Sequence, residues 1–173
     1  VEITSQAHNG LVASATATVM SELEVDPCDA APVTRAAVNA GNVTARVDNG
    51  RLTITGDKLL NSIRIVAGTE ANSLCIIGEN GTTVNGQPVP ELITNVPARI
   101  FVAMSGRQDT LIFDGSVRPI SLPGDLNIRM NSVGDTLRID HVTVAGKMKI
   151  RTGRGRDLVE LVDTVLTGKS SIF

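Results

Sequence analysis

The chain contains no tryptophan and no tyrosine, and its aromatic residues are Phe101, Phe113 and Phe173 alone. Sites that grip sugars, bases or flat cofactors usually present aromatic faces. Their scarcity argues against carbohydrate, nucleic-acid and cofactor binding. Excess basic charge is lacking too. With 16 Lys and Arg against 18 Asp and Glu, the formal net charge is −2. That balance provides no positive field for a polyanion, so no nucleic-acid partner is expected. No run approaches the roughly 20 apolar residues of a membrane helix. Histidine is limited to His8 and His141, which belong to no motif. A phosphate loop, a G-x-S-x-G elbow, an H-E-x-x-H pair and a C-x-x-C pair are all missing.

What is present can build a core. The 173 residues are 42% hydrophobic and 20% charged, which suits one domain or one elongated module. The chain starts at Val1 rather than methionine, so it is read as processed or as a fragment, and a removed signal peptide accounts for that. Cys28 and Cys75 permit one disulfide in a secreted protein. The alternative is two buried thiols, since Cys75 lies in the apolar run Leu74-Cys75-Ile76-Ile77.

An internal repeat dominates the second half. Gly124, Gly146 and Gly168 are spaced by 22 residues. Aligned from these glycines, Leu126 meets Met148, Ile128 meets Ile150 and Ile172, and Asp135 meets Asp157. Leu137 then meets Val159, Ile139 meets Leu161 and Val144 meets Leu166. An Asp or Asn follows each start by 11 residues: Asn61 after Gly50, Asp109 after Ala98, Asp135 after Gly124 and Asp157 after Gly146. Alternating apolar pairs come next, namely Ile63/Ile65, Leu111/Phe113, Leu137/Ile139 and Val159/Leu161. The copy from Ala98 is four residues longer, and Arg118-Pro119-Ile120-Ser121 reads as the insertion.

Period-2 alternation in each copy predicts short strands with one buried face. Three strands per 22-residue copy predict one coil of a three-sided parallel β-solenoid. The expected fold class is therefore all-β, a parallel β-helix with an N-terminal cap. Residues 1–45 repeat poorly and are assigned to the cap and entry strand; residues 46–173 are assigned to the solenoid. A hairpin insertion is expected at about 71–95, with Leu74 to Ile77 and Thr83-Val84 flanking a turn at Glu79-Asn80-Gly81. Pro32 to Ala40 is the best candidate for a short helix.

Several segments resemble a known group of proteins. These are Gly50-Arg51-Leu52-Thr53-Ile54-Thr55-Gly56 leading to Asn61-Ser62-Ile63-Arg64-Ile65, then Gly78 to Gly86 (GENGTTVNG), then the G-D-L-N-I copies. Over about residues 42–173 the chain resembles repetitive secreted proteins of planctomycete-type bacteria. The resemblance implies export, a parallel β-helix and extracellular or surface residence. It implies no known reaction, so it transfers no catalytic residue.

The candidate chemistry is sparse. Asp109, Asp135 and Asp157 are predicted to stack at one corner, where stacked carboxylates are weak calcium candidates. Gly153 to Val159 matches the calcium nonapeptide only in part, and Arg154 and Arg156 put positive charge beside it. The favoured role is a turn in which each carboxylate accepts backbone N–H bonds. A polysaccharide-processing β-helix enzyme would need clustered acids near a Lys or Arg. Asp114 and Asp140 share one repeat position and Arg129 and Arg151 another, with His141 adjacent to Asp140. No catalytic residue, cofactor or metal is assigned. Arg138 over Glu160 reads as a cross-strand pair that helps register.

Two function classes follow. The first is a non-catalytic extracellular or cell-surface structural protein that self-associates into an oligomer or filament through its ends, or meets other surface proteins. The second is a polysaccharide-binding or polysaccharide-processing module, which the aromatic count disfavours.

Overall fold

The computed structural model describes residues 3–6, 12–15, 28, 39–131 and 133–173, and among them strands dominate and no α-helix occurs. The strands fall into three larger sheets. The first runs β18 (Ser170–Ile172), β15 (Met148–Arg151), β12 (Asp125–Arg129), β9 (Arg99–Ala103), β4 (Arg51–Gly56), β3 (Asn42–Asp48) and β7 (Thr83–Val84). The second runs β16 (Leu158–Val162), β13 (Thr136–Asp140), β10 (Thr110–Asp114), β5 (Ser62–Ala67), β6 (Leu74–Gly78) and β8 (Glu91–Ile93). The third is β11 (Ile120–Leu122), β14 (Val142–Val144) and β17 (Val165–Leu166). Among the described residues β1 (Ile3–Gln6) and β2 (Val12–Ala15) form a separate antiparallel pair.

This arrangement corrects the expected parallel β-helix. The sheets are mixed and open, and they do not close into a solenoid of three-strand coils. Antiparallel ladders join β3 to β4, β5 to β6 and β6 to β8. The physical reason lies in the turns before residue 99. Asn49 and Gly50 both take positive φ, 47° and 68°, so a two-residue turn reverses the chain and folds β3 back along β4. Asn72 and Asn80 also take positive φ and turn the chain between β5, β6 and β7, and Asn85 does so just after β7. The repeat frame holds through β4 and β5, which pair parallel with β9 and β10, and the reversals break it on either side.

The residue register read from the 22-residue spacing does occur in the parallel part. Leu126 pairs with Met148, Ile128 with Ile150, and Ile150 with Ile172. Leu137 pairs with Val159, and Ile139 with Leu161. The spaced glycines explain themselves here. A Cβ on Gly146 would stand 2.6 Å from the Gly124 carbonyl carbon, closer than side chains come. Successive backbones meet at this corner with no room for a side chain.

Alternation buries one face of each sheet. Leu52, Ile54, Val102, Leu126, Ile128 and Ile150 are all inaccessible, and so are Ile63, Ile65, Leu111, Phe113 and Ile139. Burying a side chain of this size stabilises by about 1.5–3 kcal/mol each.

Three local expectations need adjustment. β6 and β7 flank the 79–81 turn, but they do not form a hairpin: β6 pairs with β5 and β8, and β7 with β3. The four-residue insertion lies between Asp114 and Ile120, because Asp114 pairs with Asp140 while Ile120 already pairs with Val142. Ile172 is half exposed, so the column Ile128–Ile150–Ile172 is buried only for its first two members. Most of the expected cap, residues 1–45, and the helix candidate from Pro32 lie outside the described residues. Cys28 and Cys75 form a disulfide, with Cα atoms 5.6 Å apart and a sequence separation of 47. Closing a loop of that length removes about 4 kcal/mol of unfolded-chain entropy in the simplest model.

Candidate functional site

The aspartate corner is built by the segments that enter β5, β10, β13 and β16. The Asp109 carboxylate accepts from the Asn61 backbone N–H at 2.9 Å and from Asn61 Nδ2 at 3.2 Å. Asp135 Oδ1 accepts from the Asp109 N–H at 2.8 Å, and Asp157 Oδ1 from the Asp135 N–H at 3.0 Å. Each carboxylate thus reaches back one pass and satisfies the corner amide there. Asn131 ties the corner further, its backbone N–H donating to Asp135 Oδ2 and its Nδ2 to Asp109 Oδ2. The three calcium candidates therefore follow one another along the corner, each with its oxygens directed at N–H donors rather than at a common point. Among the described residues no group of three metal-ligating side chains gathers.

Burial sets the chemistry of this corner. Asp109 is inaccessible, and desolvation pushes its carboxyl up to about 6, against the pull of the Asn61 donors and with help from the Asp135 and Asp57 charges. Asp135 is raised for the same first reason, desolvation.

The acids and cations of the enzyme reading do not meet. Asp114 and Asp140 stand opposite each other on the six-stranded sheet. Arg129 and Arg151 stand opposite each other on the seven-stranded sheet. Asp140 is held by Arg138 Nη2 at 2.7 Å and His141 Nδ1 at 2.6 Å, and the Arg138 bond is the main reason its carboxyl lies low. Asp114 is lowered chiefly by the Ser116 hydroxyl. Arg138 also reaches Glu160 at 3.0 Å, the cross-strand pair expected from the repeat. His8 lies outside the described residues.

The outermost pass is different in kind. β16, β17 and β18 each form the last strand of a sheet. Leu158, Leu161, Val165, Ile172 and Phe173 are exposed there, although Leu161 and Ile172 pair with Ile139 and Ile150, both fully buried. The Asp157 N–H has no acceptor among the described residues, whereas each preceding corner amide has one. Soluble proteins usually blunt such an edge with proline, inward charge or a bulge. β16, β17 and β18 carry no proline, and their one charged residue, Glu160, is bound to Arg138.

The chain matches no protein-family model, no curated protein and no solved structure. Two general features bear on location. The Cys28–Cys75 disulfide is compatible with an extracellular protein, and among the described residues no helix is long and apolar enough to cross a membrane.

Proposed function

We propose that the chain is a non-catalytic extracellular or cell-surface structural protein that assembles with copies of itself through the edge formed by β16, β17 and β18. The open edge carries this reading. Among the described residues it combines strand backbones without a partner on their outer side, five exposed apolar side chains and a corner N–H that lacks the carboxylate its predecessors receive. The occupant is a second copy. Among the described residues its β1–β2 pair belongs to none of the three larger sheets, and an isolated two-stranded sheet is only marginally stable, so this pair is assigned to extend the neighbour's sheet. That contact joins unlike surfaces, so it propagates into an open filament unless the rotation closes a ring. The disulfide and the resemblance to secreted repetitive proteins support a place outside the cell.

Light scattering on the 173-residue chain tests the proposal. Mass should rise with concentration, and deleting residues 1–20 or 168–173 should abolish the rise. A monomer across a hundredfold range of concentration ends the assembly reading.

A further inference from the structure

The outward face of the seven-stranded sheet has an unusual charge arrangement. Alternation turns Arg51 and Thr53 outward on β4, Arg99 and Phe101 on β9, Asn127 and Arg129 on β12, and Lys149 and Arg151 on β15. Among the described residues none of these five cations forms an ion pair. Like charges even face each other, Arg129 directly opposite Arg151. Such pairs destabilise a sheet. On the six-stranded sheet, by contrast, Arg64 and Arg138 each hold two carboxylates. The chain has more acids than bases overall, so the unpaired cations are not forced by composition.

A groove of about 420 Å³ runs between these side chains, lined by Arg51, Arg99, Phe101, Asp125, Asn127 and Arg129. Its floor holds a second anomaly. Asn127 Oδ1 is buried and has no donor. Leaving a buried acceptor unmet is costly, and rotation of the amide would offer it to a hydroxyl in the groove. Thr53, Phe101, Asn127 and Lys149 form one continuous row across four strands. Neighbouring strands in such a row lie about 4.8 Å apart, which sets a regular ladder of charge and hydrogen-bonding groups.

We propose that this face binds an acidic polysaccharide, with Arg51, Arg99, Arg129, Lys149 and Arg151 pairing its carboxylates or sulfates and Thr53 and Asn127 meeting its hydroxyls. A polyuronate or sulfated glycan matches the mixture of cations and neutral hydrogen-bonding groups. The rings argue against single-stranded nucleic acid. Arg129 lies over Phe101 at 5.4 Å, and Lys149 and Arg151 lie over Phe173 at 5.8 Å, so a cation already occupies one face of each ring where a base would stack. The disulfide also fits the compartment where acidic glycans occur. Asp125 stands opposite Arg99 in this groove, but its Oδ1 is engaged by the Lys147 N–H.

The test is titration of the full chain with alginate, a polyuronate, at low and moderate salt. Dextran, a single-stranded oligonucleotide and phosphatidylglycerol vesicles run in parallel. Binding to alginate that weakens with salt, and none to dextran, is expected. Single Arg99→Ala, Arg129→Ala and Arg151→Ala changes should each weaken it about two- to fivefold, and the triple change at least about tenfold. Arg138→Ala, on the face with paired charge, should leave it unchanged. All four positions are on the surface, and a circular-dichroism melt confirms that the variants fold. The proposal is overturned by absent alginate binding or by binding indifferent to the triple change. Equal or tighter binding of the oligonucleotide or the vesicles overturns it too, because the face would then recognise anionic charge of another source.

Discussion

Ile150 and Ile172 occupy one column a single pass apart, yet the first is inaccessible and the second half exposed. The same contrast separates Ile139 from Leu161. The inner and outermost passes carry the same kind of side chain at the same position. What differs is whether another pass lies over it. In this fold burial is conferred by the neighbour as much as by the strand itself, and the polar corner follows the same rule. Asp109 and Asp135 have their N–H groups met by the next carboxylate, and Asp157 does not.

The largest effect should come from the apolar column. Ile150→Ala empties a filled site and should cost about 2–5 kcal/mol, while Ile172→Ala should cost under about 1 kcal/mol. Denaturant melts of the two variants decide the matter, and equal losses would dissolve the distinction between inner and outer passes.

Acidity gives the next effect. In the folded chain Asp109 keeps its proton to about 6, against 3.8 ordinarily. A raised carboxyl lends stability that is complete below 3.8 and is lost as the pH climbs through 6. Stability should therefore rise on acidification across that window, by roughly 2–3 kcal/mol from Asp109. The gain stops near its lower limit, because Asp114 and Asp140 have lowered carboxyls and lose their contribution as they protonate. Asp109→Asn keeps an acceptor for Asn61 and should flatten the rise. A profile that is the same in both proteins would show that the buried carboxyl is not the cause.

Truncating the corner acids should have a somewhat smaller effect. Asp135→Ala strands the Asp109 and Asn131 N–H groups and should cost about 1–3 kcal/mol. Asp157→Ala should cost less, since the amide it leaves lies next to the open pass and can turn to water. A larger loss from Asp157→Ala would reverse the order proposed for the two regions. Smallest of all is surface charge. Arg138→Ala should have only a small effect, and a double-mutant cycle with Glu160→Ala isolates the pair. Arg129→Ala should be neutral or slightly stabilising, because it relieves the like charge of Arg151.

These contrasts also mark what the sequence could express. The spacing of Gly124, Gly146 and Gly168 reports backbone crowding, so it translates directly into register. The aspartate positions were legible because a corner needs the same acceptor in every pass. The class of fold was not, because Asn49-Gly50 and the other positive-φ asparagines reverse strands that the apolar alternation alone would carry forward. Period 2 defines a strand's buried face but is silent on the direction of its partner. The cationic face escaped notice for a related reason. Arg51, Arg99, Arg129 and Arg151 sit far apart in the chain, and net charge averages them against acids of the other sheet. Placing the outward positions of successive copies side by side would have revealed them.

The bonds from the Asn61, Asp109 and Asp135 backbone amides all point one way, each to a carboxylate one pass later. Fraying therefore has a direction. Loss of the outermost pass releases the Asp135 amide, and only then does loss of the next release that of Asp109. Hydrogen exchange should follow this sequence, quickest at the Asp157 amide, slower at Asp135 and slowest at Asp109 and Asn61. Anything that settles on the outermost pass should slow exchange at Asp157 first and pass the delay inward, so one amide near the end of the chain reports whether the edge is covered.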